Sequence, residues 1–182
     1  MKASFDQWCT ERSVWWIRVP ILLLMGHQAY NYLSDQYYSG FFGAITFGIH
    51  ELGHVVFLPF GEWMSVLGGS LTQLAAPAIA AILFFRQPDY FAVTVAGVWL
   101  STAMYELAVY VEDALTMTLP LLSMGDEAYH DWNYLLTSMN MIQWDQTIAG
   151  FLRFCASGLM IASIAAGVWI VWKIARLQSK TA

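Results

Sequence analysis

Two histidines and a glutamate stand in an otherwise apolar stretch of the chain, Phe47–Phe57. His50 and His54 are four residues apart, which places both imidazoles on the same face of an α-helix. This His-Glu-x-x-His spacing lets two histidines bind one metal ion while the adjacent glutamate, here Glu51, acts as a base toward water. Ionisable groups are costly in a membrane helix and therefore point to a function. The stretch predicts a zinc site with hydrolytic chemistry inside a bilayer.

A catalytic zinc ion takes three protein ligands and keeps one position for water, so a third ligand must come from elsewhere in the chain. Asp131 is the first candidate, as an oxygen ligand with His130 beside it. In the alternative, His130 is the ligand and Asp131 accepts a hydrogen bond from it. Asp113 and Glu106 are the remaining candidates, and Glu106 is equally explained as a neutral buried acid or as a partner of Arg153. The sequence leaves this choice open.

Two amide side chains are candidates for substrate binding. Asn133 and Gln73 can donate hydrogen bonds to a substrate or to an oxyanion. Both residue types are equally suited to joining helices inside a membrane bundle. Their role therefore depends on whether their amide groups face the candidate metal site.

The composition places the chain in a membrane. Hydrophobic residues make up 58% and charged residues 12% of the chain, with a mean hydropathy of +0.52, whereas soluble domains hold about 45–50% apolar and about 25% charged residues. The net charge of −5 comes without a basic patch, which argues against a nucleic-acid partner. A length of 182 residues predicts one membrane-embedded domain spanning residues 1–182.

Hydropathy predicts an all-α integral membrane protein, a bundle of about five transmembrane helices. The predicted spans are approximately Val14–Leu33, Phe41–Phe60, Met64–Phe85, Tyr90–Val111 and Thr147–Trp172. Pro77 predicts a kink or break in the third span, with an irregular or re-entrant first half. The segment Trp132–Trp144 is amphipathic and too short to span, which predicts one interfacial or re-entrant helix.

The charge pattern bears on the orientation of this multi-pass protein. Lys173, Arg176 and Lys180 predict a cytoplasmic C-terminus, and the acidic region 112–146 predicts the opposite side for the loop before the last span. Five spans would then place the N-terminus outside, in conflict with the basic residues near it. Either the first segment does not cross the bilayer completely, or the basic residues near the N-terminus do not determine its side of the membrane.

The motif HELGH, at positions 50–54, resembles the HExGH form of the site-2 protease family of intramembrane zinc metalloproteases. The small-residue segment Gly68–Leu74, followed by Pro77, is similar to the segment that follows the motif in compact members. The resemblance implies His50 and His54 as zinc ligands, the motif glutamate as base, and an aspartate as third ligand. It also implies cleavage of transmembrane or membrane-proximal segments of substrate proteins. The Asn-Pro-x-x-Pro-x-Leu-Asp-Gly context of the family's aspartate does not occur here.

We therefore expect a zinc-dependent intramembrane peptidase, whose partners are the lipid bilayer and a membrane protein or peptide substrate. A second hypothesis is a non-catalytic metal-binding subunit of a membrane protein complex. A closed site that uses both His130 and Asp131 would favour this subunit, whereas three ligands with an open position would favour an enzyme. A third hypothesis, haem or quinone binding, requires His27 to face another histidine.

Overall fold

The computed structural model describes residues 5–12, 14–119 and 130–179, and these residues form helices without any strand. The α-helices are α1 (Phe5–Glu11), α2 (Val19–Ser34), α3 (Gly43–Phe57), α4 (Glu62–Arg86), α5 (Tyr90–Glu112), α6 (Asp131–Ser138) and α7 (Asp145–Gln178). Short 3-10 helices lie before α2, after α3 and before α7, at Trp16–Arg18, Leu58–Phe60 and Ile142–Trp144. The all-helical class predicted from hydropathy is confirmed.

Four helical segments of the described chain are long and apolar enough to cross a membrane. They are Gly43–Phe60, Glu62–Arg86, Tyr90–Glu112 and Ile142–Gln178. The first predicted span forms α2, whose 16 residues are about 24 Å long at 1.5 Å per residue. The predicted interfacial segment Trp132–Trp144 forms α6 and the 3-10 helix that follows it. Part of the acidic region, residues 120–129, lies outside the described residues.

Of the kink or break predicted at Pro77, the break does not occur. The helix α4 is continuous over 25 residues with Pro77 inside it. Proline removes one backbone hydrogen bond from a helix, but neighbouring helices can compensate for this loss in a membrane bundle. Pro77 is fully buried against such neighbours. The continuity of α4 at Pro77 therefore depends on packing against other helices, and a local sequence pattern does not predict such packing.

The helix α5 is the centre of the bundle. Within its apolar window 56% of the residues are buried, against 33% or less in the other three candidate spans. Small residues bring α7 close to it: a Cβ added to Gly97 would lie 2.3 Å from Ser163 Oγ, and Ser101 Oγ donates a 2.7 Å hydrogen bond to the Ala156 carbonyl. Close helix packing through small residues is typical of membrane proteins.

The helices α3 and α4 form an antiparallel pair with equally close backbones. A Cβ added to Gly53 would lie 2.3 Å from the Gly68 carbonyl oxygen, and one on Gly68 would lie 2.7 Å from the Gly53 carbonyl oxygen. Thr72 Oγ1 lies 3.0 Å from the Ile49 carbonyl oxygen, to which it donates. These contacts turn one face of α3, the face that carries His50, toward α4.

Candidate metal centre

Three side chains from two distant parts of the chain converge on one point. His50 Nε2 lies 3.0 Å from Asp131 Oδ2, and His54 Nε2 lies 3.2 Å from the same oxygen. The histidines come from α3, and Asp131 is the first residue of α6. His50 and Asp131 are buried and His54 is half-buried. The structure thus brings the first-choice candidate for third ligand to both motif histidines.

The second nitrogen of each imidazole meets an oxygen acceptor. His50 Nδ1 lies 2.9 Å from Gln73 Oε1, and the Gln73 amide nitrogen donates to the Ala103 carbonyl at 3.0 Å. His54 Nδ1 lies 2.9 Å from the Ser65 carbonyl oxygen. Because these oxygens only accept, each Nδ1 must donate its proton. In the neutral imidazoles both Nε2 atoms then carry free lone pairs.

Three electron-rich atoms therefore share one small space, namely two Nε2 atoms and a carboxylate oxygen. Such atoms repel one another unless a cation lies between them or protons bind to the Nε2 atoms. Zinc binds histidine nitrogen and carboxylate oxygen at about 2.0–2.2 Å, so neighbouring ligand atoms of a tetrahedral site are about 3.3 Å apart. The separations of 3.0 and 3.2 Å are close to this value. The donor set and these two separations are compatible with a zinc ion as well as with hydrogen bonds.

Glu51 lies next to these three residues. One ligand atom each from His50, Glu51 and His54 lie within 4.8 Å of one another. Glu51 is half-buried, and no hydrogen bond ties its carboxylate to another of the described residues. The carboxylate is therefore available to water or to a ligand beside the candidate metal position.

The charge state of Asp131 suits metal binding. Burial raises the pKa of Asp131, but hydrogen bonds and charge from His50 and His54, when their Nε2 atoms carry protons, outweigh burial and lower it. The Asp131 backbone nitrogen donates a 3.0 Å hydrogen bond to the Tyr110 hydroxyl, which joins the start of α6 to α5. An ionised carboxylate is the form that binds a metal ion.

A glycine of α4 lies directly against the two imidazoles. A Cβ added to Gly69 would lie 2.6 Å from His50 Nε2 and 2.7 Å from His54 Nε2. Only a residue without a side chain leaves this space open. The sequence marks Gly68 and Gly69 as part of a small-residue segment, but it does not distinguish the glycine that packs helices from the glycine that borders the site.

His130 lies outside this cluster. Its Nδ1 accepts a 3.2 Å hydrogen bond from the Asn133 backbone nitrogen, and its Nε2 lies 3.4 Å from Asp113 Oδ2. Burial lowers the pKa of His130, although Asp113 opposes this effect. His130 is the N-cap residue of α6. Its ring therefore holds the helix that carries Asp131 and does not point at the motif histidines.

Asp113 and Asn133 are likewise occupied by protein groups. Asp113 accepts hydrogen bonds from Thr116 Oγ1, Thr118 N and Oγ1, and Leu119 N. Burial alone would raise the pKa of Asp113, but these hydrogen bonds outweigh it and lower the pKa. The Asn133 amide donates a 2.8 Å hydrogen bond to the carbonyl of Ala114. Both residues bind the described residues just after α5, and neither is directed at the cluster.

Glu106 also lies apart from the cluster. Its Oε1 accepts a 2.8 Å hydrogen bond from the Tyr32 hydroxyl. The predicted pair between Glu106 and Arg153 is wrong, because Arg153 forms its ion pair with Glu112 at the end of α5. Glu112 is six residues after Glu106 on the same helix, so the choice between the two acids depends on how α7 is placed along α5.

Two other predicted roles depend on the same contacts. The Gln73 amide oxygen contacts His50 and its nitrogen donates to Ala103, so Gln73 joins the His50 ring to α5. His27 is exposed, and Asn31 on the same helix lies 3.1 Å from its Nε2. It therefore does not face another histidine of the described chain, as haem binding would require.

Comparison with models of protein families, with curated proteins and with solved structures finds no match to this chain. The resemblance of positions 50–54 to site-2 proteases stays a prediction. Any functional assignment rests on the geometry of His50, Glu51, His54 and Asp131.

Proposed function

We propose that this protein is a zinc-dependent intramembrane peptidase. The proposal rests on one observation: Asp131 Oδ2 lies within hydrogen-bonding distance of both His50 Nε2 and His54 Nε2, beside the half-buried Glu51. Three protein ligands leave one position of a tetrahedral zinc ion open, as in hydrolytic zinc enzymes. The helices packed around the site, α4 and α5, are long and apolar enough to span a bilayer, so the proposed substrate is a membrane protein or a membrane-bound peptide.

In this proposal His50, His54 and Asp131 would hold the zinc ion. When bound there, zinc would supply Lewis acidity toward a peptide carbonyl and toward water. Gln73 and Ser65 keep the Nδ1 protons of the imidazoles in place, so that both Nε2 atoms stay available as ligands. Glu51 takes a proton from the attacking water and passes it to the leaving amine. A carbon–oxygen bond forms, the peptide carbon–nitrogen bond breaks, and the products are a carboxylate and an amine.

The alternative is a non-catalytic metal-binding subunit of a membrane complex. A structural zinc site is closed by four protein ligands, and His130 is the fourth ligand that the sequence suggested for such a site. Its ring nitrogens contact Asn133 and Asp113 instead. This favours an open site with three ligands and hence the peptidase.

Metal analysis of purified variants tests the ligand set. We expect about one zinc ion per chain in the unaltered protein and in Glu51→Gln, and loss of zinc in His54→Ala and Asp131→Ala. His27→Ala is the matched control, because His27 is an exposed histidine away from the cluster, and it should keep its zinc. A zinc-free unaltered protein, or full zinc content in Asp131→Ala, would overturn the proposed site.

Cleavage of a fluorescently labelled unfolded casein by the protein in detergent tests the reaction. Removing a general base typically costs about 10²–10⁴-fold in rate, and we expect a loss of this size in Glu51→Gln at unchanged zinc content. Equal cleavage by Glu51→Gln and the unaltered protein would refute the role of Glu51. Zinc binding without cleavage in either protein would favour the non-catalytic subunit.

A further inference from the structure

The helix before the motif helix runs parallel to α5. Arg18, just before α2, lies over the Phe91 ring near the start of α5, with its Cζ 5.8 Å from the ring centroid. Tyr32, near the end of α2, stacks on Tyr105 at 5.3 Å and donates to Glu106. The helix α2 therefore starts where α5 starts and ends close to where α5 ends.

The motif helix α3 also runs parallel to α5, so the chain must turn back between α2 and α3. Phe42, just before α3, stacks on Trp99 at 5.7 Å, and the His50 ring lies 6.0 Å from the Tyr110 ring. Trp99 is nine residues beyond Tyr90, the first residue of α5, a distance of about 14 Å along the helix. The helix α3 therefore begins well inside the bundle and does not reach the end at which α2 and α5 start.

The connection between α2 and α3 brings non-helical backbone to this depth. Tyr32 Oη accepts a 3.0 Å hydrogen bond from the Gly40 nitrogen, and Gln28 Oε1 accepts a 2.9 Å hydrogen bond from the Phe41 nitrogen. A Cβ added to Gly40 would lie 2.1 Å from Gln28 Oε1. Irregular backbone is tolerated at membrane depth only when protein groups satisfy it. The buried side chains of Gln28 and Tyr32 supply these partners.

The basic residues lie at the end of the bundle where α2 and α5 start. There α1 packs beside the end of α7: the Gln178 amide donates a 3.0 Å hydrogen bond to the Arg12 carbonyl, and Lys173 pairs with Asp6. Of the Lys and Arg residues in the described chain, this end holds Arg12, Arg18, Arg86, Lys173 and Arg176, whereas Arg153 alone lies toward the other end, paired with Glu112. Lys and Arg concentrate on the cytoplasmic side of membrane proteins.

We infer that the chain crosses the bilayer four times, through α2, α4, α5 and α7, and that α3 is a half-membrane helix whose metal site opens to the non-cytoplasmic face. His54 contacts Ser65, three residues into α4, and His50 is held by Gln73 against Ala103, nine residues before the end of α5. The site therefore lies about 5–14 Å below that face. On the proposed peptidase function, its substrates are membrane-protein segments in the non-cytoplasmic leaflet.

Labelling of single cysteines with a membrane-impermeant maleimide tests this topology in intact cells. The native thiols are removed as Cys9→Ala and Cys155→Ala, and one exposed residue at a time is then replaced. The variants are Glu11→Cys and Ser179→Cys at the basic end, Asp35→Cys and Gln143→Cys at the opposite end, and Phe41→Cys before α3. If the thiol-free chain does not fold, the same variants are made in the native chain, where Cys9 is fully buried.

We expect Asp35→Cys and Gln143→Cys to be labelled in intact cells, and Glu11→Cys and Ser179→Cys only after permeabilisation. Phe41→Cys should stay unlabelled from the cytoplasmic side. Labelling of Phe41→Cys only after permeabilisation would show α3 to be a complete span and overturn the inference. Different labelling of Glu11→Cys and Ser179→Cys, one in intact cells and the other only after permeabilisation, would also overturn the inference.

The labelling pattern does not depend on metal or activity, so it is repeated in the Glu51→Gln variant, where we expect no change. A protein that lacks zinc and cleavage but shows the expected labelling would refute the peptidase and leave the topology standing. A protein that binds zinc and cleaves casein but shows the opposite labelling would refute the topology and leave the peptidase standing. The two proposals therefore fail separately.

Discussion

The two motif histidines differ in the hydrogen-bond acceptor that their Nδ1 atoms contact. His54 Nδ1 contacts a main-chain oxygen, the Ser65 carbonyl, which no substitution removes. His50 Nδ1 contacts a side-chain oxygen of Gln73, and Gln73 is buried between α3 and α5. The tautomer of His50 therefore depends on the side chain of Gln73, which can be replaced. A substitution of Gln73 tests the candidate site without changing a metal ligand.

We predict that Gln73→Leu weakens zinc binding by about 10–100-fold, the usual cost of losing a partner behind a metal-bound histidine. Leucine has a similar size but offers no acceptor, so the His50 ring is free to turn or to exchange tautomers. Gln73→Glu keeps an acceptor oxygen and is the matched control, with a smaller loss. Competition with a chromophoric zinc chelator measures the affinities, and equal affinity in Gln73→Leu would contradict the positioning role.

At the scale of elements, the site depends on the contact between α3 and α4. Gly53 and Gly68 allow these backbones to approach, and Gly69 leaves room for both imidazoles. The third residue of the site reaches them on α6, whose first turn is held by the His130 cap and by the Tyr110 hydroxyl. The separation of α3 from α4 and the placement of α6 must both be correct for the three atoms to meet.

We predict that Gly53→Ala lowers both thermal stability and zinc content. The added Cβ would lie 2.3 Å from the Gly68 carbonyl oxygen, and overpacking of this kind typically costs about 1–3 kcal/mol. Gly48→Ala is the matched control on the same helix, because a Cβ there meets nothing within 4 Å. Thermal unfolding in detergent measures the difference. Equal midpoints for the two variants would contradict the close α3–α4 contact.

At the scale of the whole molecule, the candidate metal would join parts of the chain that are far apart. His50 and Asp131 are separated by 81 residues in sequence, and residues 120–129 between them lie outside the described chain. A metal ion that binds only the folded arrangement stabilises it by mass action. The stability of the bundle and the occupancy of the site are therefore linked.

We predict that a chelator lowers the unfolding midpoint of the purified protein and that added zinc restores it. At a free zinc concentration about 100 times the dissociation constant, the stabilisation is about 2.7 kcal/mol. His54→Ala should unfold at the same temperature with chelator or zinc, because it lacks a ligand. A zinc-dependent midpoint in His54→Ala, or none in the unaltered protein, would count against the site.

The sequence by itself determined the membrane class, the helical fold and the shared face of His50 and His54. Each of these depends on composition or on a helix period that acts over a few residues. The sequence is sufficient to name Asp131 as a candidate ligand, because acids and histidines are few in this apolar chain. It is not sufficient to choose between Asp131 and His130, since the two residues are adjacent and both have suitable donor atoms.

Only the tertiary structure decided how the helices are combined. It turned His130 toward Asp113, paired Arg153 with Glu112, kept α4 continuous through Pro77 and placed α3 parallel to α5. None of these outcomes has a local signal, because each depends on which residues distant in sequence come into contact when helices pack. The motif determined half of the candidate site, and the packing of α3, α4 and α6 determined the other half.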